Sequence, residues 1–88
     1  MTARRLSIHG KVQGVFYRDW TGANARALGL AGWVRNLADK SVVAQLEGPA
    51  EAVDAMIARL WDGPPEVRAE RIEVQEVEPE GVSDFERR

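Results

Sequence analysis

The sequence predicts an α/β (α+β) sandwich in which two helices pack on one face of an antiparallel sheet of four to five strands. Three observations predict it. The spacing of apolar residues switches between period 2 and period 3.6 in the order strand, helix, strand, strand, helix, strand. The connections between these segments are short and carry the Gly, Pro and Asp residues that turns require. At 88 residues the chain has room for one domain, 1–88, with one small core.

Leu6, Ile8, Gly10 and Val12 alternate with Arg5, Ser7, His9 and Lys11, so residues 4–12 read as a strand with one face on a core. From Asp19 to about Leu28 the period lengthens. Trp20, Ala23, Ala27 and Leu30 then fall on one helical stripe, and Gly29 is placed to end the helix. Residues 30–37 read as a second strand, the tight connection 38–41 turns the chain, and residues 42–47 return as the other arm of a β-hairpin. Pro49 and Glu51 suit the first turn of a second helix whose apolar stripe is Val53, Met56, Ile57 and Leu60. The run Asp62-Gly63-Pro64-Pro65 stops it, a further strand near 69–77 carries Ile72, Val74 and Val77, and the tail around Phe85 can add an edge strand. Two right-handed crossovers around one hairpin fold this β-α-β-β-α-β order into a ferredoxin-like sandwich. That architecture hosts many activities, so function has to be argued from particular residues.

Composition excludes several classes. The chain has no cysteine, which removes thiol nucleophiles, disulfides and thiolate metal sites. The net charge is −2, with acid gathered toward the C-terminal third, which argues against a nucleic-acid binder that works by neutralising phosphates. No segment reads as a signal peptide or is apolar for long enough to span a bilayer, so a cytoplasmic protein without membrane attachment is expected.

The most informative stretch is His9-Gly10-Lys11-Val12-Gln13-Gly14-Val15-Phe16-Tyr17-Arg18, which joins the first strand to the first helix. A fixed cation beside the electropositive start of a helix is unfavourable by about 0.3–1 kcal/mol unless an anion lies between them. Glycines at 10 and 14 can take positive φ and carry no Cβ, so the N–H groups of residues 14–18 could converge on one oxyanion. In the competing reading Asp19 caps the helix, Arg18 pairs with a surface carboxylate and the glycines serve a turn. Asn36 is the second unusual residue, since asparagine is depleted in strands. Its carboxamide can accept from and donate to a water without a change of charge, or it can bond its own backbone before the turn.

Other machinery is sparse. His9, the lone histidine, alternates with the polar residues and reads as an exposed strand residue. No His and carboxylate cluster has metal-ligand spacing, and the serines and threonines have no evident base. The acidic stretch 66–86 interleaves with arginines as a solvated, ion-paired surface does, and Trp20, Trp33 and Trp61 read as packing residues. An anion cradle, one arginine, one amide and no acid–base pair suit a reaction whose leaving group departs unprotonated. Acyl phosphates meet this condition. Their leaving group is a carboxylate with a conjugate-acid pKa of about 4, so catalysis reduces to holding the phosphoryl group and aligning a water behind phosphorus.

The segments Gly10-Lys11-Val12-Gln13-Gly14-Val15-Phe16-Tyr17-Arg18 and Gly32-Trp33-Val34-Arg35-Asn36-Leu37-Ala38-Asp39 closely resemble the two signature motifs of the acylphosphatases. The resemblance continues through Glu47-Gly48, Gly63-Pro64 and a phenylalanine near the C-terminus. It implies a ferredoxin-like sandwich that hydrolyses the carboxyl-phosphate bond of small-molecule acyl phosphates, with no metal and no cofactor. Residue by residue it implies that Arg18 is the phosphate-binding catalytic arginine and that Asn36 orients the nucleophilic water. It also implies that the backbone of Gln13, Gly14, Val15, Phe16, Tyr17 and Arg18 forms the phosphate cradle, and that the water's proton passes to a phosphate oxygen. A monomer is expected. Two features depart from the family: Asp39-Lys40 stands where Asp-Gly is common, and the ending Phe85-Glu86-Arg87-Arg88 is more charged than usual. The alternatives are a non-catalytic ferredoxin-like module that binds RNA or a small anion, and an accessory piece of a larger carbamoyl-transferring enzyme. An RNA reader would carry exposed aromatics on its central strands, and residues 5–11 and 42–47 contain none.

Overall fold

The computed structural model describes residues 1–13, 15–64 and 67–88. Seven elements follow in the order β1 (Thr2–Lys11), α1 (Val15–Ala27), β2 (Ala31–Asn36), β3 (Val42–Gly48), α2 (Ala50–Asp62), β4 (Arg68–Glu76) and β5 (Phe85–Arg87). The strands form one sheet in the order β4-β1-β3-β2-β5. Each helix makes a crossover between parallel strands separated by one antiparallel neighbour, and both helices lie on the same face, giving the expected ferredoxin-like sandwich.

Alternation along the strands sorts the side chains. Leu6 and Ile8 of β1, Val34 of β2 and Val42, Ala44 and Leu46 of β3 are fully buried on the helix side, against Tyr17, Ala25, Val53, Met56 and Leu60. The stripe anticipated for α2 holds, with Val53, Met56 and Leu60 buried and Ile57 packed at the margin.

The stripe anticipated for α1 holds only in part, with Trp20 packed against the core and Leu30 buried. Ala23 and Ala27 are exposed, while Tyr17, Thr21 and Ala25 are buried and Leu28 is partly so. The cause is the helix start: α1 begins at Val15, four residues before the expected Asp19, and this brings Tyr17 onto its inner face. The Tyr17 ring removes far more apolar surface from water than an alanine methyl, so it sets the phase, and residues 17, 21, 25 and 28 follow it. Trp20 stacks on it at 5.8 Å between centroids. Burial pushes the Tyr17 phenol up to about 12.

The tail adds a strand, and the sheet is mixed. β5 runs parallel to β2, pairing Gly32 with Phe85, Trp33 with Glu86 and Val34 with Arg87. The parallel direction follows from the route: the chain leaves β4 at one edge of the sheet and reaches β2 at the other, so it has to recross the open face first. Glu47, on that open face, anchors the crossing segment. Its Oε2 accepts from the backbone N–H of Glu80 at 2.8 Å and from Gln45 Nε2 at 2.9 Å, and its Oε1 accepts from Gly81 N–H at 3.2 Å. Burial alone would raise the Glu47 pKa, but these donors outweigh it and hold the carboxylate below the usual range. Trp33 donates to Glu80 at 3.0 Å and is bracketed by the guanidinium groups of Arg5, Arg35 and Arg88 at 5.1–5.5 Å, so it packs outside the helix-side core.

Gly10 serves the sheet. It has φ 131° beside the irregular step of the β1–β4 pairing, where a Cβ would lie 2.4 Å from the carbonyl oxygen of Arg68. Close approach of β4 therefore accounts for this glycine. Gly14, the other glycine assigned to anion binding, lies outside the described residues.

Candidate active site

Arg18 stands in the first turn of α1, a turn without an acidic residue. The N–H groups of residues 15–17 open the helix, in the first turn where backbone donors have no acceptor within the helix. Asp19 is inside the helix and does not cap it. Its Oδ1 accepts from Arg87 at 2.8 Å. Arg18 is half-buried, and among the described residues it pairs with no Asp or Glu side chain: its Nη1 donates to the backbone oxygen of Arg88, the last residue of the sequence, at 2.9 Å. Its Nε is buried without a partner among the described residues. A cation with no Asp or Glu partner among the described residues thus lies in the turn where the helix field most favours an anion.

Asn36 ends β2. Period-2 alternation puts it on the same face as Val34, which is in the helix-side core. Its Oδ1 is buried and has no partner among the described residues, so that atom is not used in bonding its own backbone at the turn.

Two ties bracket Asn36 and join its strand to the start of α1. On one side, Arg88 donates its backbone N–H to Val34 O at 2.7 Å while its own carbonyl oxygen accepts from Arg18. On the other, Gln13 Nε2 donates to Leu37 O at 2.6 Å and to Ser41 O at 3.3 Å. Arg18 and Asn36 are therefore on the same side of the sheet, at adjoining ends of α1 and β2.

The turn after Asn36 keeps a left-handed residue even though glycine is missing. Lys40 has φ 72°, a conformation that costs a residue with a Cβ roughly 1–2 kcal/mol. Backbone bonds from Leu37 N–H to Ser41 O at 2.9 Å and from Lys40 N–H to Leu37 O at 3.1 Å hold the turn. Asp39 Oδ1 reinforces it by accepting from both the N–H and the hydroxyl of Ser41, and these bonds lower the Asp39 pKa.

The remaining candidates fall elsewhere. His9 is on the open face, half-buried, with Nε2 3.2 Å from Glu73 Oε1. The charged C-terminal third forms surface ion pairs such as Arg4–Glu76, Arg71–Glu73 and Arg88–Glu86. Phe16, expected only as a backbone contributor, presents a side chain that is 64% exposed at the start of α1. Sequence reasoning missed the contact of the Arg88 backbone with Arg18 and the side-chain role of Gln13. Both join residues far apart in the chain, and neither leaves a local signal.

The acylphosphatase family model matches residues 4–87. An acylphosphatase of Rhizorhabdus wittichii is 53% identical over 74 residues, 84% of this chain and 75% of that protein. One of Mesorhizobium japonicum is 54% identical over 76 residues, 86% of this chain and 81% of the relative. The solved structure of an acylphosphatase from Coxiella burnetii superposes with a TM-score of 0.93 at 34% identity, covering 99% of this chain and 92% of that one.

Proposed function

Since the chain belongs to the acylphosphatase family and hydrolyses acyl phosphates, we propose that the first turn of α1 and the Arg18 guanidinium hold the phosphoryl group while the Asn36 carboxamide aims the attacking water. The observation that carries this reading is the placement of Arg18. Its guanidinium, with Nε unpartnered among the described residues, and the first amides of α1 meet at one helix end, with the carboxamide of Asn36 tied in on the same side of the sheet.

The chemistry asks little more of the protein. A water oxygen forms a bond to phosphorus as the bond from phosphorus to the carboxylate oxygen breaks. The leaving carboxylate takes the electron pair of that bond and departs unprotonated. Both protons of the water end on the phosphate, so an acyl phosphate dianion and water give a carboxylate and dihydrogen phosphate with charge conserved. Charge builds on the equatorial phosphoryl oxygens, where the helix amides and the guanidinium stabilise it. The forked, planar guanidinium suits two of these oxygens better than an ammonium group would. Asn36 restricts the water to the line behind phosphorus and replaces a general base by orientation.

The same reading has a single-domain monomer in the cytoplasm, with residues 13–18 as a phosphate-binding loop, no metal or cofactor, and no nucleic-acid partner. The net charge of −2 supports the last of these. No helix among the described residues is long and apolar enough to cross a membrane.

The test is phosphate release from an aromatic acyl phosphate in the presence of a chelator. Release well above the spontaneous rate is expected, unchanged by the chelator, with an alkyl phosphate monoester left intact because its alkoxide leaving group needs an acid. Loss of activity on chelation would contradict a site made of amides, a guanidinium and a carboxamide.

A further inference from the structure

Gln13 belongs to the stretch read as cradle backbone, yet its side chain points its chemistry elsewhere. The carboxamide nitrogen has two hydrogens, and the structure gives each an acceptor: Leu37 O at 2.6 Å and Ser41 O at 3.3 Å. These two carbonyls form the neck of the β2–β3 hairpin, where Ser41 O also accepts from Leu37 N–H and Leu37 O from Lys40 N–H. Leu37 directly follows Asn36, and Arg18 is five residues beyond Gln13 in the sequence.

We propose that the Gln13 side chain is a positioning residue, a clamp that fixes the Asn36 carboxamide relative to the phosphoryl group by holding the hairpin neck to the entrance of α1. The hairpin needs such a hold. It contains Lys40 in a left-handed conformation, and Asp39 secures only the far side of the turn, through Ser41. The Arg88 tie lies on the other side of Asn36, at Val34. Without Gln13 the end of β2 is still held to β3 and to Arg88, but the hairpin neck loses its tie to the entrance of α1, and the carboxamide can drift from the line of attack. The clamp touches neither phosphate nor water, so it acts on turnover through Asn36 and leaves the anion contacts of residues 15–18 in place.

This inference rests on the role given to Asn36, and a double-mutant cycle separates the two. Gln13→Ala, Asn36→Ala and the double variant are assayed for kcat and KM on an aromatic acyl phosphate. Affinity for inorganic phosphate and the melting temperature are measured on the same samples. Gln13→Ala is expected to lower kcat by about 10–100-fold, as small misplacements of a reacting group do, with phosphate affinity close to that of the parent. In the Asn36→Ala background the same change should cost nothing further in kcat. Gln13→Glu keeps the length but turns an acceptor toward two carbonyls, and it should lower kcat at least as much as the alanine variant. An equal loss from Gln13→Ala in both backgrounds, or no loss in either, would overturn the clamp while leaving Asn36 in its role. Parent-like turnover in Asn36→Ala itself would remove that role and the clamp with it.

Discussion

Arg18→Gln is expected to lower kcat/KM by about a thousandfold and to weaken inorganic phosphate binding, with little change in melting temperature. The size follows from the loss of a preorganised charged donor where charge develops, an effect of about 10²–10³-fold for one oxyanion donor, taken at its upper end because a full charge goes with it. The stability forecast rests on the contacts. The hydrogen bond from Arg18 Nη1 to the Arg88 oxygen is in an exposed setting, and such bonds contribute about 0.5–1.5 kcal/mol. Removing a cation from the first turn of α1 also relieves about 0.3–1 kcal/mol of conflict with the helix dipole. The two nearly cancel. Arg18→Lys should recover part of the phosphate affinity and little of the turnover, because a point charge replaces a fork. Steady-state kinetics, phosphate titration and thermal melting of the three proteins decide this together. Full activity in Arg18→Gln would show that the helix start alone holds the phosphoryl group.

Asn36→Ala should divide the effects differently. Turnover is expected to fall by about a hundredfold, the scale of losing alignment of one reactant, while phosphate affinity is retained. Phosphate release at saturating substrate and titration with inorganic phosphate read the two quantities separately. The fold should tolerate the change. Asn36 Oδ1 has no partner among the described residues, so its removal breaks no bond there, and the hairpin register is set by the pairing of Asn36 with Val42 through the backbone. A drop in phosphate affinity equal to the drop in turnover would move Asn36 from the water to the cradle.

The contrast between these variants follows from the elements that hold each residue. Arg18 rides on a helix whose inner face is locked by the fully buried Tyr17, one residue away. Asn36 ends a strand whose partner β3 is buried throughout, and whose other edge is closed by β5. The proposed site is thus placed where two well-packed elements end side by side, joined by the ties of Gln13 and Arg88.

The sequence made the scaffold legible wherever apolar spacing was regular. Val53, Met56 and Leu60 marked the inner face of α2, and the alternation of residues 5–12 marked β1 and its buried side. It misleads at α1, where the alanines give a plausible stripe and Tyr17 reads as part of the preceding loop. One aromatic ring outweighs several methyl groups, and a pattern of small residues does not report that. Gly10 was legible as a glycine that the backbone demands, but not as one demanded by β4, because its neighbour Arg68 is distant in the chain. Arg18 and Asn36 were legible as anomalies of type and position. The parallel approach of β5, the strap on Glu47 and the reach of Gln13 to Leu37 all depend on tertiary contacts, and local periodicity contains no trace of them.

A crystal structure of the protein with bound inorganic phosphate tests the central claim most directly. The anion should sit on the first N–H groups of α1 with two of its oxygens on the Arg18 guanidinium, and a water held by the Asn36 carboxamide should lie on its open side. Phosphate seated away from the first turn of α1, or an Asn36 carboxamide facing away from the anion, would contradict it.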